Sequence, residues 1–218
     1  MTELYLVRHG ETDWNAARRI QGRTDIPLND TGRDQARQAG ELLARRRWDA
    51  IYASPLSRAV ETASIIGEQV GIEQIGTRDD LMERDYGAAE GLGFDEIEAL
   101  YPEGVHAEGQ ETRDQVAKRV GSALAALADR HPGESLIVVS HGGAIRSVLQ
   151  LADPGTHHPR ITNASVHSFR VIDGTLQLIA FDDPIEEESL LPSCEDLDVQ
   201  NAIEAHDDED ETLVGAGA

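Results

Sequence analysis

The chain predicts an α/β domain: a three-layer sandwich with a mostly parallel central sheet, helices on both faces and an antiparallel hairpin at one edge. Three observations carry that expectation. Short β-rich apolar runs alternate with segments of helical periodicity. One of those runs, "SLIVVS", is strongly apolar throughout. Near the end, Asp173-Gly174 separates two further β-rich runs, which is a hairpin signal that adds antiparallel edge strands.

In order, Leu4 to Val7 reads as a short buried strand. Thr31-Gly32-Arg33-Asp34 resembles a capping box, and Ala36, Ala39, Leu42 and Leu43 follow at helical spacing, with Arg45, Arg46 and Arg47 near the helix end. "WDAIYAS" is a second strand, ended by Pro55, and a helix from about Leu56 to Val70 stops at Gly71. Residues 72–93 lack periodicity and read as irregular. Phe94 to Tyr101 suggests a short helix and Thr112 to Arg130 a longer one, broken by His131-Pro132-Gly133. After "SLIVVS" comes a helix over Ala144 to Leu151, then the hairpin runs "SVHSFRVI" and "TLQLIAF". Residues 1–181 form the expected domain, and 182–218 an acidic tail in which "LDVQNAIEA" could make a helical turn or two.

Composition excludes several function classes. The formal charge is −22, and residues 182–218 hold 14 of the 41 acids and no Lys or Arg, leaving 27 acids against 19 bases in the rest. A basic nucleic-acid footprint is absent. No run of 18 apolar residues occurs and the N-terminus has no leader-like pattern, so the expectation is a cytoplasmic protein that does not enter membranes. Cys194, as a lone cysteine, makes no intrachain disulfide and supports no zinc site. Of the bases only Lys118 is lysine, a bias that, with the acidity, resembles proteins of salt-accumulating archaea.

Three strands run into polar ends: "LYLV" into Arg8-His9, "AIYAS" into a turn and Arg58, and "LIVVS" into His141-Gly142-Gly143. In an open parallel sheet those carboxyl ends share one edge, where ligands bind. Two arginines and two histidines converging there suit a phosphoryl group, because guanidinium forks pair with phosphate oxygens. His106, His131, His206 and the pair His157-His158 lie in polar loop or tail contexts and read as ordinary.

These residues carry a family resemblance. "LVRHGETDWN", "RIQGRTDIPLNDTG", "SPLSRAVETA", "LMERDYGAAEG" and "VVSHGG", in this order over roughly residues 3–180, resemble the histidine phosphatase superfamily, which includes phosphoglycerate mutases. The resemblance implies that His9 is the nucleophile, its tautomer held by a hydrogen bond from the other ring nitrogen, and that Arg8, Arg58 and His141 bind the phosphoryl oxygens. It implies that Gly10 lets the chain pass close to phosphate, that Asn15 adds a neutral donor, and that Gln21, Gly22 and Gly142 line the pocket. Glu83 matches the general acid and base, with Glu11, nearer the nucleophile in sequence, as competing acid and pocket residue, while Glu90 reads as structural or pocket-lining. Arginines and histidines supply the positive field, so neither metal nor cofactor is expected.

The implied activity is hydrolysis of a small phosphomonoester. The alternatives are a bisphosphoglycerate-dependent mutase and a catalytically silent phosphate-binding protein. "ERDYGAAEGLGF" departs from the mutase pattern in placing Glu90 where glutamine is usual, and it has no lysine. Only 57 residues lie between Glu83 and His141, which implies a more open site. Neither the substrate nor the oligomeric state can be read.

A charge of −22 repels itself and anionic substrates, and screening shortens the Debye length to about 3 Å at 1 M salt. Stability and activity are therefore expected to rise from low to molar salt. Equal folding and activity at about 10 mM salt would contradict this, and deleting residues 185–218 isolates the tail's share.

Overall fold

The computed structural model describes residues 1–102 and 105–185. A six-stranded sheet has the order β3-β2-β4-β1-β5-β6, built from β1 (Thr2–Arg8), β2 (Ala50–Ala53), β3 (Ile75–Thr77), β4 (Ser135–Ser140), β5 (Val166–Ile172) and β6 (Thr175–Ala180). The pairs β3·β2, β2·β4 and β4·β1 are parallel, while β1·β5 and β5·β6 are antiparallel. Helices α1 (Asp13–Ala16), α2 (Asp30–Leu43), α3 (Ser57–Val70), α4 (Phe94–Leu100), α5 (Arg113–Arg130) and α6 (Gly142–Ala152) complete the domain.

The middle of each central strand, Leu4–Val7 of β1 and Leu136–Val139 of β4, is apolar at every position because both faces are covered. Leu4 and Leu6 of β1, with Leu136 and Val138 of β4, pack on one face against Val116, Val120, Leu124 and Leu127 of α5 and Ile145, Val148 and Leu149 of α6. Their neighbours Tyr5, Val7, Ile137 and Val139 point the other way, onto Ala39, Leu42 and Leu43 of α2 and Ala59, Ala63 and Ile66 of α3. This is the expected three-layer sandwich.

Local signals set most boundaries. Gly71 takes the left-handed conformation (φ 78°) that ends α3. Thr112 and Gln115 cap α5 reciprocally. Asp173 (φ 50°) and Gly174 (φ 74°) both have positive φ, as the tight hairpin turn between β5 and β6 requires.

Three expectations need correction. Helix α2 is capped by Asn29, whose Oδ1 accepts the Gly32 N–H at 2.8 Å, so it starts before Thr31. Residues 72–93 are not wholly irregular: β3 extends the parallel sheet, and single 3-10 turns follow at Asp79–Leu81 and Gly87–Ala89. Helix α6 begins at Gly142, two residues early, which makes His141 its N-cap.

Past β6 the chain returns to the body. Asp183 N–H donates to the Val166 carbonyl at 2.7 Å, and Ile185, 3% exposed, joins the core under α2 and α3. A truncation that spares this contact starts after Ile185. Cys194 and the "LDVQNAIEA" stretch lie outside the described residues. Among the described residues, no helix is long and apolar enough to cross a membrane.

Candidate active site

Register builds the site. In the parallel β1·β4 pair, Arg8 stands opposite Ser140 and Val7 opposite Val139. The next residues, His9 and His141, therefore leave the sheet side by side, with ring centroids 5.1 Å apart at 59°. On the other side of β4, Ala53 pairs with Val139, so β2 ends at the same edge and the turn after it delivers Arg58 on the first turn of α3.

His9 is 1% exposed, and its Nδ1 lies 2.7 Å from the Gly10 carbonyl oxygen. A carbonyl only accepts, so Nδ1 carries the ring proton and Nε2 keeps its lone pair. Burial, then the charges of Arg58 and Arg8, hold the imidazole well below its usual pKa. It is neutral, which is the form that can attack phosphorus. Burial, Arg58 and His9 act in the same direction on His141, whose ring nitrogens have no hydrogen-bond partner among the described residues.

The arginines are pre-aimed by backbone carbonyls. Arg8 Nη1 donates to Ile161 O at 2.8 Å, while Arg58 donates from Nη1 to Thr24 O at 2.9 Å and from Nη2 to Gly22 O at 2.7 Å. Both are fully buried. Burial lowers Arg58 to about 10, so it keeps its charge at neutral pH.

Two buried amides add donors. Asn15 Oδ1 accepts the Thr12 N–H at 3.2 Å and Gln21 Oε1 accepts the Thr12 hydroxyl at 2.8 Å. Their oxygens occupied, Asn15 Nδ2 and Gln21 Nε2 are left with no partner among the described residues. Asn163 Nδ2 links this group to His9, donating to His9 O at 3.0 Å and lying 3.4 Å from Asn15 Oδ1.

Glu83, also fully buried, is aimed by a helix terminus. Its Oε1 accepts the N–H groups of Ala144 (2.9 Å) and Arg84 (2.8 Å), and Oε2 accepts that of Gly143 (3.1 Å). The unsatisfied amides at the start of α6 thus hold the carboxylate on the helix that His141 caps.

The remaining sequence candidates are placed differently. Glu11 is turned to α2: Oε1 accepts Asn29 Nδ2 at 2.8 Å, and the Glu11 carbonyl accepts the Asn29 N–H at 3.0 Å. Gly10 is needed for a close approach to α2, because a Cβ there would lie 2.2 Å from Gly32 O. Gly22 has φ +53°, and its carbonyl receives Arg58. Gly142 is buried as the first residue of α6. The Glu90 carboxylate is occupied by the N–H groups of Arg23 (2.8 Å) and Thr24 (2.9 Å), which secures the loop that aims Arg58.

Sequence reasoning missed Thr12 and Asn163. Thr12 was legible as the cap of a T-x-x-N turn, whereas Asn163 sits in a loop with no local pattern. Among the described residues no group of three or more His, Cys, Asp or Glu could hold a metal ion.

A family model for the histidine phosphatase superfamily (branch 1) matches residues 4–184. The chain belongs to that superfamily. The uncharacterized phosphatase PhoE of Bacillus subtilis (strain 168) is 42% identical, over 75% of this chain and 86% of its own. Phosphoglycerate mutase-like protein 4 of Arabidopsis thaliana is 39% identical, over 88% of this chain and 90% of its own. Among solved structures, Bacillus stearothermophilus YhfR superposes with a TM-score of 0.77 at 32% identity, covering 85% of this chain and all of that one. A phosphoserine phosphatase of Entamoeba histolytica, in complex with 3-phosphoglyceric acid, gives 0.71 at 29% identity, covering 84% and 98%.

The buried histidines of this superfamily member predict acid lability. Burial lowers His9, His141 and His167, the last to about 3. Above the unfolded value of about 6.5 both states are neutral and the contribution to stability is complete. As pH falls below it, the unfolded chain binds protons that the fold refuses, and each histidine removes up to about 1.4 kcal/mol per pH unit. Asp182, raised by burial, opposes this as a single carboxyl. Thermal melts from about pH 7.5 to about 5.5 are expected to show Tm falling below about 6.5, and a flat profile would contradict the buried neutral histidines.

Proposed function

We propose that the protein hydrolyses phosphomonoesters of small metabolites through a phosphohistidine on His9. One observation carries the assignment: Nδ1 is committed to the Gly10 carbonyl in a neutral imidazole beside two buried arginines, so Nε2 is the nucleophile. The Nε2 lone pair attacks phosphorus as the ester P–O bond breaks. Arg8, Arg58, His141 and the amides of Asn15 and Gln21 take up charge on the phosphoryl oxygens. The departing oxygen takes its proton from Glu83. Water then attacks the phosphohistidine, returning a proton to Glu83 and releasing phosphate.

Relatives support a small phosphorylated substrate. A metal-independent phosphoserine phosphatase of Arabidopsis thaliana is 37% identical over 79% of this chain. Relatives with mutase names keep a second reading alive, in which bound phosphoglycerate recaptures the phosphoryl group and water is shut out.

Incubation with phosphoserine, or with 3-phosphoglycerate in the presence and absence of a bisphosphoglycerate primer, separates the two. The expected outcome is primer-independent phosphate release that disappears in His9→Ala. Primer-dependent 2-phosphoglycerate with negligible free phosphate would establish the mutase instead.

A further inference from the structure

An acid that protonates a leaving group must be held in one place, yet Glu83 lies on a segment with little regular structure, between the two 3-10 turns. Most of the side-chain bonds to its backbone come from Arg119, with a longer one from Arg23 Nε to the Glu83 carbonyl at 3.5 Å. Arg119 of α5 donates from Nη1 to the carbonyls of Asp80 (3.2 Å) and Met82 (2.7 Å), and from Nη2 to that of Glu83 itself (2.8 Å). Its other two donors go to Glu111, Nε to Oε1 at 2.7 Å and Nη2 to Oε2 at 2.8 Å. All five guanidinium protons are thereby used.

Glu111 closes the brace from the far side. Its Oε2 accepts the Asp85 N–H at 3.1 Å, and its backbone carbonyl accepts Arg84 Nε at 2.8 Å. One ion pair, its side chains 18% and 14% exposed, thus fixes the backbone before, at and after Glu83. The carboxylate can then meet the amides of Gly143 and Ala144 from a fixed root.

We infer that Arg119, braced by Glu111, is a positioning residue that holds Glu83 in register for proton transfer. The inference rests on the reading of Glu83 as the acid and base. An ordinary surface ion pair would be nearly silent in function. This one spans α5 and the carbonyls flanking the acid, and only the planar fork of arginine can serve three carbonyls and a carboxylate at once. Lysine would keep the charge while losing most of the bonds.

The test uses the leaving group. The quantity kcat/KM reports steps up to departure of the alcohol, which needs a proton for an alkyl phosphate but far less for 4-nitrophenyl phosphate. In Arg119→Ala, kcat/KM for an alkyl phosphate is expected to fall about tenfold or more, while that for 4-nitrophenyl phosphate falls less than about threefold. Inhibition by orthophosphate, which reads the phosphate cradle, should stay within about twofold. Arg119→Lys and Glu111→Gln should shift the alkyl-to-aryl ratio in the same direction by less, and they carry the test if the alanine variant does not fold. If Glu83→Gln shifts the ratio and none of the brace variants does, the inference is overturned and the acid assignment stands. Equal loss on both esters in the brace variants, with weakened orthophosphate inhibition, also overturns it, because the brace would then support the cradle. An unshifted ratio in Glu83→Gln would remove the acid assignment and the inference with it.

Discussion

The parallel ladder between β1 and β4, with Arg8 opposite Ser140, is the constraint from which the site follows. Parallel neighbours in this register end together, so His9 and His141 emerge side by side. A slip of one residue would turn Tyr5 and Val7 toward α5 and α6 and part the two histidines. Burial of both sheet faces makes that slip expensive, since every side chain of the pair would meet the wrong layer. Packing far from the reacting atoms therefore sets their geometry.

The electrostatics of the edge follow from its burial. Arg8 and Arg58 are fully buried, and carbonyls of Ile161, Gly22 and Thr24 offset part of their desolvation. Their charge has two effects. It attracts a phosphoryl group, and with burial it keeps His9 and His141 unprotonated. The groups proposed to bind the substrate thus also keep His9 neutral. Two buried arginines meet at one sheet edge in a chain of formal charge −22, which shows how little net charge says about a site.

Much of this was legible in the sequence because it depends on strand ends. Apolar runs that stop at Arg8-His9 and His141-Gly142 mark where β1 and β4 leave the sheet, and Gly71 and Asp173-Gly174 mark turns through required positive φ. What escaped lacks such a signature. Strand β3 has three residues and one large apolar side chain, too short for a period, and its Gly76 lies where a Cβ would be 2.5 Å from the Tyr52 ring. Asn29, Asp30 and Thr31 are all cap formers, so the start of α2 was ambiguous by two residues. Arg119 looks like any charged helix residue until the carbonyls of a distant segment are brought to it. Glu11, two residues from His9 in sequence, is turned away to Asn29, the residue that caps α2.

The central claim is that the Gly10 carbonyl commits Nδ1 of His9 and leaves Nε2 to attack phosphorus. The direct measurement is the site of phosphorylation in the trapped enzyme. Protein labelled with nitrogen-15 in histidine is quenched in alkali after brief exposure to substrate, and phosphorus–nitrogen couplings are read by NMR. The account predicts a single phosphohistidine, on His9, with phosphorus bonded to Nε2. Phosphorus on Nδ1, or on any other residue, would contradict it.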